Sequence, residues 1–260
     1  MLVLIRGAGD LASGIALRLT HCGYKCILTD QKEPTSIRRT VSFSEAIRLG
    51  KCNVEDLQGE YAENHEKALR ILELGKVPVL ADPELKCLEK VTPDVLVDAI
   101  LAKRNLGTKL DMAPIVIGVG PGFSAGKDCH AVVETMRGHS LGRVIYKGEA
   151  IPNTNIPGLI GGYAGERVLR APKDGILHVI REIGSPVTAG EILGEVDGTA
   201  MKATISGVLR GILPDGTKVT EGMKAGDVDP RGNTEACYSC SDKALAVAGG
   251  VLEAILALGR

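Results

Sequence analysis

The stretch LVLIRGAGDLASGIALRLTHCGYKCILTD, residues 2–30, decides the fold. Leu2 to Arg6 is a short apolar run, and from Asp10 to Cys22 the residues Leu11, Ile15 and Leu19 fall on one helical face. Gly23 terminates that helix, and Lys25 to Asp30 is extended again. Strand, glycine turn, helix and strand predict a βαβ unit. Further apolar runs at Val77–Ala81, Val95–Ala99 and Ile115–Val119, with helical patterns between them such as Asn64–Leu74, continue the alternation. Such alternation predicts an α/β fold, a Rossmann-like doubly wound parallel sheet occupying a first domain over residues 1–165.

After Gly148 the texture changes. Ile151 to Gly165 is rich in proline and glycine, which suits an ordered connector. Beyond it the chain repeats itself without a gap. Ala171, Gly175, Leu177, Ile180, Gly184, Val187, Thr188, Gly190, Gly194 and Val196 recur 32 positions later, from Ala203 to Val228. Two copies of one supersecondary unit must pack on each other to bury their apolar faces. They predict a small all-β barrel-sandwich domain, biotinyl/lipoyl-like, over residues 166–232. Ser241 or Asp242 caps a last helix whose apolar positions, Leu245 to Leu258, send it back onto the first domain as a segment spanning 233–260.

The turn Gly7-Ala8-Gly9-Asp10-Leu11-Ala12 matches a dinucleotide fingerprint with Ala12 in place of the third glycine, and Asp30 ends the second strand 23 residues after Gly7. Glycines let backbone approach a pyrophosphate, the helix start offers N–H groups, and Asp30 suits ribose hydroxyls. Asp10 raises the opposite reading, since a carboxylate at a helix start satisfies the same donors and repels an anion. Arg38 and Arg39 follow closely as candidate phosphate ligands, against a reading in which both are solvated.

A second polar concentration follows the strand Ile115–Val119, beginning with Gly120 and Gly122. Loops at the carboxyl ends of parallel strands are where ligands bind, so Asp128, Cys129, His130, Glu134, Arg137 and His139 become the catalytic candidates. His130 and Glu134, four apart, are expected on one helical face. No third ligand stands at metal-motif spacing, so no metal is expected. Arg137, His139 and Arg143 suit anion recognition, with Asp128 or Glu134 orienting the histidines; a plain surface pairing of Glu134 with Arg137 is the bland alternative. Cys129, beside His130 and near Lys127, is read either as a sulfur or selenium acceptor or as a small buried thiol. Cys237-x-x-Cys240 precedes a helix but lacks a thioredoxin-like context. Ala200-Met201-Lys202 resembles the tripeptide around a biotinylated lysine, a carrier alternative for the repeat.

Composition narrows the classes. Lys+Arg total 31 against 32 Asp+Glu, a formal charge of -1, which lacks the basic excess of a general nucleic-acid binder. Five Tyr, two Phe and no Trp leave few stacking platforms, while 33 glycines favour backbone-lined sites. The amino-terminal apolar run is too short for a signal peptide and none approaches a membrane span, so neither nucleic acid nor membrane is an expected partner and a cytoplasmic location is expected. Seven cysteines, an odd and scattered set, are expected reduced.

Several blocks together resemble one family. They are GAGDLASG from Gly7, Arg38-Arg39 with Ser42-Phe43-Ser44, DAILAKRNLGT from Asp98, GPGFSAGKDCHAVVETMRGHSLGR from Gly120, GDVDPRG from Gly226 and SDKALAVAGGVLEAI from Ser241. The chain resembles, over nearly its full length, the YqeB-like family of selenium-dependent molybdenum hydroxylase system proteins. The resemblance implies an accessory role in maturing such hydroxylases. The ligand it implies is NAD(P) or a molybdopterin dinucleotide, and the partner a molybdenum hydroxylase client or its maturation factors. An NAD(P)-dependent oxidoreductase using His130 or His139 as proton donor is the alternative from another class, and the residues leave open both catalysis and homo-oligomerisation.

Overall fold

The computed structural model describes residues 1–154 and 157–260. Asn155 and Ile156, within the connector expected over 151–165, lie outside the described residues. The chain forms two compact units: residues 1–34, 42–153 and 240–260 make the first, and residues 35–41 and 154–239 the second.

The first unit opens with β1 (Leu2–Arg6), α1 (Asp10–His21) and β2 (Lys25–Asp30), followed by α2 (Glu45–Leu49), β3 (Lys51–Val54), β4 (Leu57–Ala62), α3 (His65–Glu73) and β5 (Val77–Ala81). Then come β6 (Val95–Asp98), β7 (Ile115–Val119), β8 (Ser124–Ala125), β9 (Ala131–Val133), β10 (Val144–Ile145) and β11 (Gly148–Glu149). One nine-stranded sheet runs in the order β10-β9-β7-β6-β1-β2-β5-β4-β3. Its inner neighbours pair in parallel, while β10 on β9 and β3 on β4 are antiparallel.

Side chains alternate across β1 as an extended, pleated backbone requires. Val3 and Ile5 pack with Leu11, Ile15 and Leu19 of α1, together with Val247, Val251 and Ile255 near the carboxyl terminus. Leu4 faces the other way, onto Ile71 of α3, Leu96 and Val116. Asn64 caps α3 by accepting from the Lys67 N–H at 2.9 Å.

The fold expectation needs correcting here. The sheet is mixed, and among the described residues helices join adjacent parallel strands only between β1 and β2 and between β4 and β5; the passages from β5 to β6 and from β6 to β7 are loops with 3-10 turns, so the sheet is not doubly wound. Pro83 and Pro93 in the first passage and Gly107 and Pro114 in the second are the physical reason, since each interrupts a helix.

In the second unit the strands are β12 (Val168–Arg170), β13 (Gly175–Val179), β14 (Pro186–Val187), β15 (Ile192–Val196), β16 (Thr199–Lys202), β17 (Gly207–Ile212), β18 (Lys218–Val219) and β19 (Lys224–Asp229). The chain then returns to the first unit as α4 (Asp242–Leu258), capped by the Ser241 hydroxyl, which accepts from the Ala244 N–H at 3.1 Å. The second unit holds two antiparallel sheets of four strands, β12-β19-β17-β14 and β16-β15-β13-β18. The repeat is visible in the pairing. Pro186 opposite Val208 in one sheet and Lys218 opposite Ile176 in the other are the same contact under the 32-residue shift. Each copy therefore lends its short middle strand to the other copy.

The two sheets bury one apolar cluster but remain separate hydrogen-bonded sheets, because β14 and β18 are only two residues long. The expected biotinyl/lipoyl-like closed barrel is thus corrected to two open sheets. Lys202 likewise does not top a hairpin. The tip between β15 and β16 is Asp197-Gly198, and Lys202 lies at the far end of β16 opposite Ile192, which removes the geometry of a swinging arm.

Among the described residues no helix is long and apolar enough to cross a membrane. Leu177 and Leu209, equivalent under the repeat and both fully buried, should contribute equally. Leu177→Ala and Leu209→Ala are each expected to lower the unfolding free energy by about 2–5 kcal/mol, measured by urea denaturation.

Candidate functional site

At the carboxyl ends of the parallel strands, β1 ends in a buried cation and β6 in a buried anion. Arg6 and Asp98 are register partners, 7% and 2% exposed. The Arg6 guanidinium donates to Asp98 Oδ2 at 3.3 Å and to Thr108 Oγ1 at 3.1 Å, and Thr108 Oγ1 donates to Asp98 Oδ2 at 2.6 Å. The same nitrogen, Nη1, also lies 3.1 Å from the Leu106 carbonyl, and Nη2 and Nε donate to the Pro83 carbonyl at 3.0 and 3.2 Å. One side chain thereby holds the loops that follow β5 and β6.

The loop after β6, residues 99–109, bears two non-glycine residues in left-handed conformation, Leu101 at φ 62° and Lys103 at φ 63°. Asn105 stiffens it, accepting from the Gly107 and Thr108 N–H groups and donating to the Thr108 carbonyl. Two glycines lock it to its neighbours. A Cβ on Gly7, at φ +106°, would lie 2.9 Å from the Ala99 carbonyl oxygen, and one on Gly122, at φ +110°, would lie 2.6 Å from the Arg104 Cα. The loops after β1, β6 and β7 therefore meet backbone against backbone.

The glycine turn is held by its own carboxylates. Asp30 Oδ2 accepts from the Ala8 N–H at 2.9 Å and Oδ1 from the Gln31 N–H at 2.8 Å, while burial pushes the Asp30 carboxyl upward. The Ala8 carbonyl accepts from the Ser44 N–H at 2.9 Å and the Ser13 hydroxyl at 3.2 Å. Gly9 is the helix N-cap, Ala12 is buried in α1, and Asp10 Oδ1 accepts from the Leu11 N–H at 2.9 Å. A carboxylate on the first turn amide and another on Ala8 do not fit a pyrophosphate, which would meet like charge at the helix start. The expected phosphate cradle is corrected to a carboxylate-flanked turn.

Arg38 and Arg39 serve a different purpose from the one expected. Arg38 donates to the Ala236 and Ser239 carbonyls at 3.0 and 3.1 Å, and Arg39 to the Ile212 carbonyl at 2.8 Å, so both tie residues 35–41 into the second unit.

The cluster from Asp128 to His139 is divided. Residues 131–133 form β9, a strand rather than a helix, so His130 and Glu134 stand at its opposite ends, about 13 Å apart along an extended backbone. His130 lies at the amino end, where Nδ1 accepts from the Val116 N–H at 2.9 Å. Glu134, 2% exposed, lies at the carboxyl end and accepts from the Thr135, Met136 and Ile151 N–H groups. Asp128 accepts from the Ser124 N–H, closing a turn. Arg137 forms a two-pronged pair with Asp242 at 2.7 and 3.1 Å, and His139 is exposed. Gly120 donates to the Val133 carbonyl. Cys129 is fully buried and its thiol is pushed up to about 11 by burial, which makes it unreactive. Among the described residues no group of three or more His, Cys, Asp or Glu is placed to hold a metal ion.

Sequence reasoning missed Arg6, Asp98 and Thr108, although complementary charges ending two apolar runs are a signal for them. It also missed a buried network in the second unit. Asp227 and Asp229, alternate residues on one face of β19, receive Arg167 at 2.8 Å, Arg210 at 2.5, 2.8 and 3.1 Å, and Arg231 at 2.7 and 3.0 Å. Burial alone would push the Asp229 carboxyl up; bonds from Arg231 and the nearby Arg210 outweigh it and hold the group at about 2.

No family model matches the chain. It is 49% identical over 257 residues, 99% of its length, to the uncharacterized protein YqeB of Escherichia coli K12. The chain spans about half of that relative, 48% of its length. Among solved structures, a succinylglutamate desuccinylase/aspartoacylase from Rhodobacter sphaeroides is 16% identical, covering 56% of this chain and 60% of its own, with a TM-score of 0.23. An aspartoacylase family protein from Mesorhizobium loti is 12% identical, covering 78% and 83%, with a TM-score of 0.25. Likenesses of this size assign no activity.

Two outcomes follow from the geometry. With iodoacetamide at pH 8, mass spectrometry should find the exposed Cys22 labelled rapidly and Cys129 unlabelled until the protein is denatured. Because the Asp229 pKa is depressed, its stabilisation is complete above the unfolded carboxylate value near 4 and is lost as pH falls through about 2. Asp229→Asn should therefore lower stability at pH 7 and flatten the acid limb between about pH 4 and 2 in thermal melts.

Proposed function

We propose that this chain is a ligand-holding accessory protein in the maturation of selenium-dependent molybdenum hydroxylases, with a molybdopterin dinucleotide as its cargo. The observation that carries the binding part is the carboxyl edge of the parallel strands, where the loops after β1, β6 and β7 close on one another through Gly7 and Gly122. Ligands of parallel sheets lie at this edge, and the backbone amides and carbonyls of such loops can recognise polar cargo without aromatic rings.

The same geometry engages or buries three of the expected catalytic candidates. Cys129 is buried, Glu134 is engaged by three amides, and His130 stands at the amino end of the sheet. Of the two histidines considered as proton donors, His130 would thus sit at the opposite end of the strands from a ligand at that edge. The molybdenum part rests on the residue blocks from Gly7, Asp98, Gly120, Gly226 and Ser241.

Calorimetry with purified molybdopterin dinucleotide tests the reading. Saturable binding is expected, weakened at least tenfold by Gly122→Val, whose side chain would displace the Arg104 backbone. Absence of binding, with no effect of the chain on hydroxylase activation in a reconstituted mixture, overturns it.

A further inference from the structure

The glycine turn does not take a diphosphate, yet the same edge presents two cations on a loop built to be rigid. Lys103 and Arg104 are exposed and, among the described residues, neither has a hydrogen-bond or ion-pair partner. We propose that Lys103 and Arg104 form the phosphate-binding subsite of this protein, taking the diphosphate of its ligand in place of the glycine turn. The proposal deepens the function above and rests on that reading for the ligand's remaining parts.

Three observations converge on it. The loop is fastened from beneath by Arg6, through the Leu106 carbonyl and Thr108, so its shape is set by a buried guanidinium. Its outer turn is fastened by Asn105 and its flank by Gly122 against the Arg104 Cα. Lys103 itself is left-handed at φ 63°, a conformation in which glycine is the relaxed residue. A lysine kept in a strained conformation on a fastened loop, at the ligand-binding edge, marks a position where the side chain matters more than backbone ease.

The chemistry of the pair suits one anion. Arginine offers a planar fork for two phosphate oxygens, and lysine adds a mobile point charge for the neighbouring phosphate. Both approach from solvent, so the contact is charge-assisted and weakens with salt.

The test uses inorganic pyrophosphate as the probe, by calorimetry on the full chain at low and moderate salt. The wild type is expected to bind, with affinity falling as salt rises. Lys103→Gly with Arg104→Ala should weaken binding at least tenfold, while the exposed Lys127→Ala leaves it unchanged. Lys103→Gly should not lower the melting temperature, since it relaxes the backbone, so a lost affinity is not lost folding. Pyrophosphate binding that survives the double variant, or its absence in the wild type at low salt, overturns the subsite. If molybdopterin dinucleotide binds the double variant as tightly as the wild type, the function stands and the subsite falls. If it fails to bind the wild type while pyrophosphate binding still depends on the pair, the subsite stands and the cargo is different.

Discussion

The buried pairing of Arg6 with Asp98 governs the first unit's upper edge. Two opposite charges at the ends of adjacent parallel strands are costly to desolvate, and they persist because the Pro83 and Leu106 carbonyls and the Thr108 hydroxyl are turned toward them. Removing either partner would strand a charge in an apolar sheet, at about 3–5 kcal/mol. The pair is therefore less a source of net stability than a fixture of shape. From it follow the positions of Pro83 and of the loop after β6, and through that loop the fit of Gly7 against Ala99 and of Gly122 against Arg104.

The second unit uses a related device for a different end. Its apolar cluster joins both copies of the repeat, and the exchange of β14 and β18 makes neither copy complete alone. Asp227 and Asp229 break the symmetry. Their counterparts 32 residues earlier are Glu195 and Asp197, in the hairpin that turns at Gly198, whereas Asp227 and Asp229 are buried among Arg167, Arg210 and Arg231. The duplication thus fixes the core, and the charged network marks one half of it as distinct.

The sequence made the opening βαβ legible because Leu11, Ile15 and Leu19 repeat at helical spacing and Gly7 and Gly23 bracket the helix. It made the 32-residue repeat legible because glycine and valine recur in phase. It misled between β5 and β7, where alternation of strands suggested helices that Pro83, Pro93, Gly107 and Pro114 do not permit. It misled again at His130 and Glu134. A spacing of four is one face of a helix or the two ends of a short strand, and the intervening Ala131-Val132-Val133 favours the strand. Arg38 and Arg39 were opaque for another reason, since their carbonyl partners lie more than 170 residues away in the chain.

Strain and satisfaction are distributed unevenly, and the distribution carries the functional reading. Along β9 and its flanks the polar side chains are occupied: Glu134 by amides, His130 by Val116, Arg137 by Asp242. Such groups give the scaffold its register and have little left for a substrate. At the carboxyl edge after β6 the opposite holds, with left-handed Leu101 and Lys103 on a loop whose base is fully bonded. A backbone held away from its easiest conformation by bonds on every side is preorganised, and preorganisation lowers the ordering cost of binding.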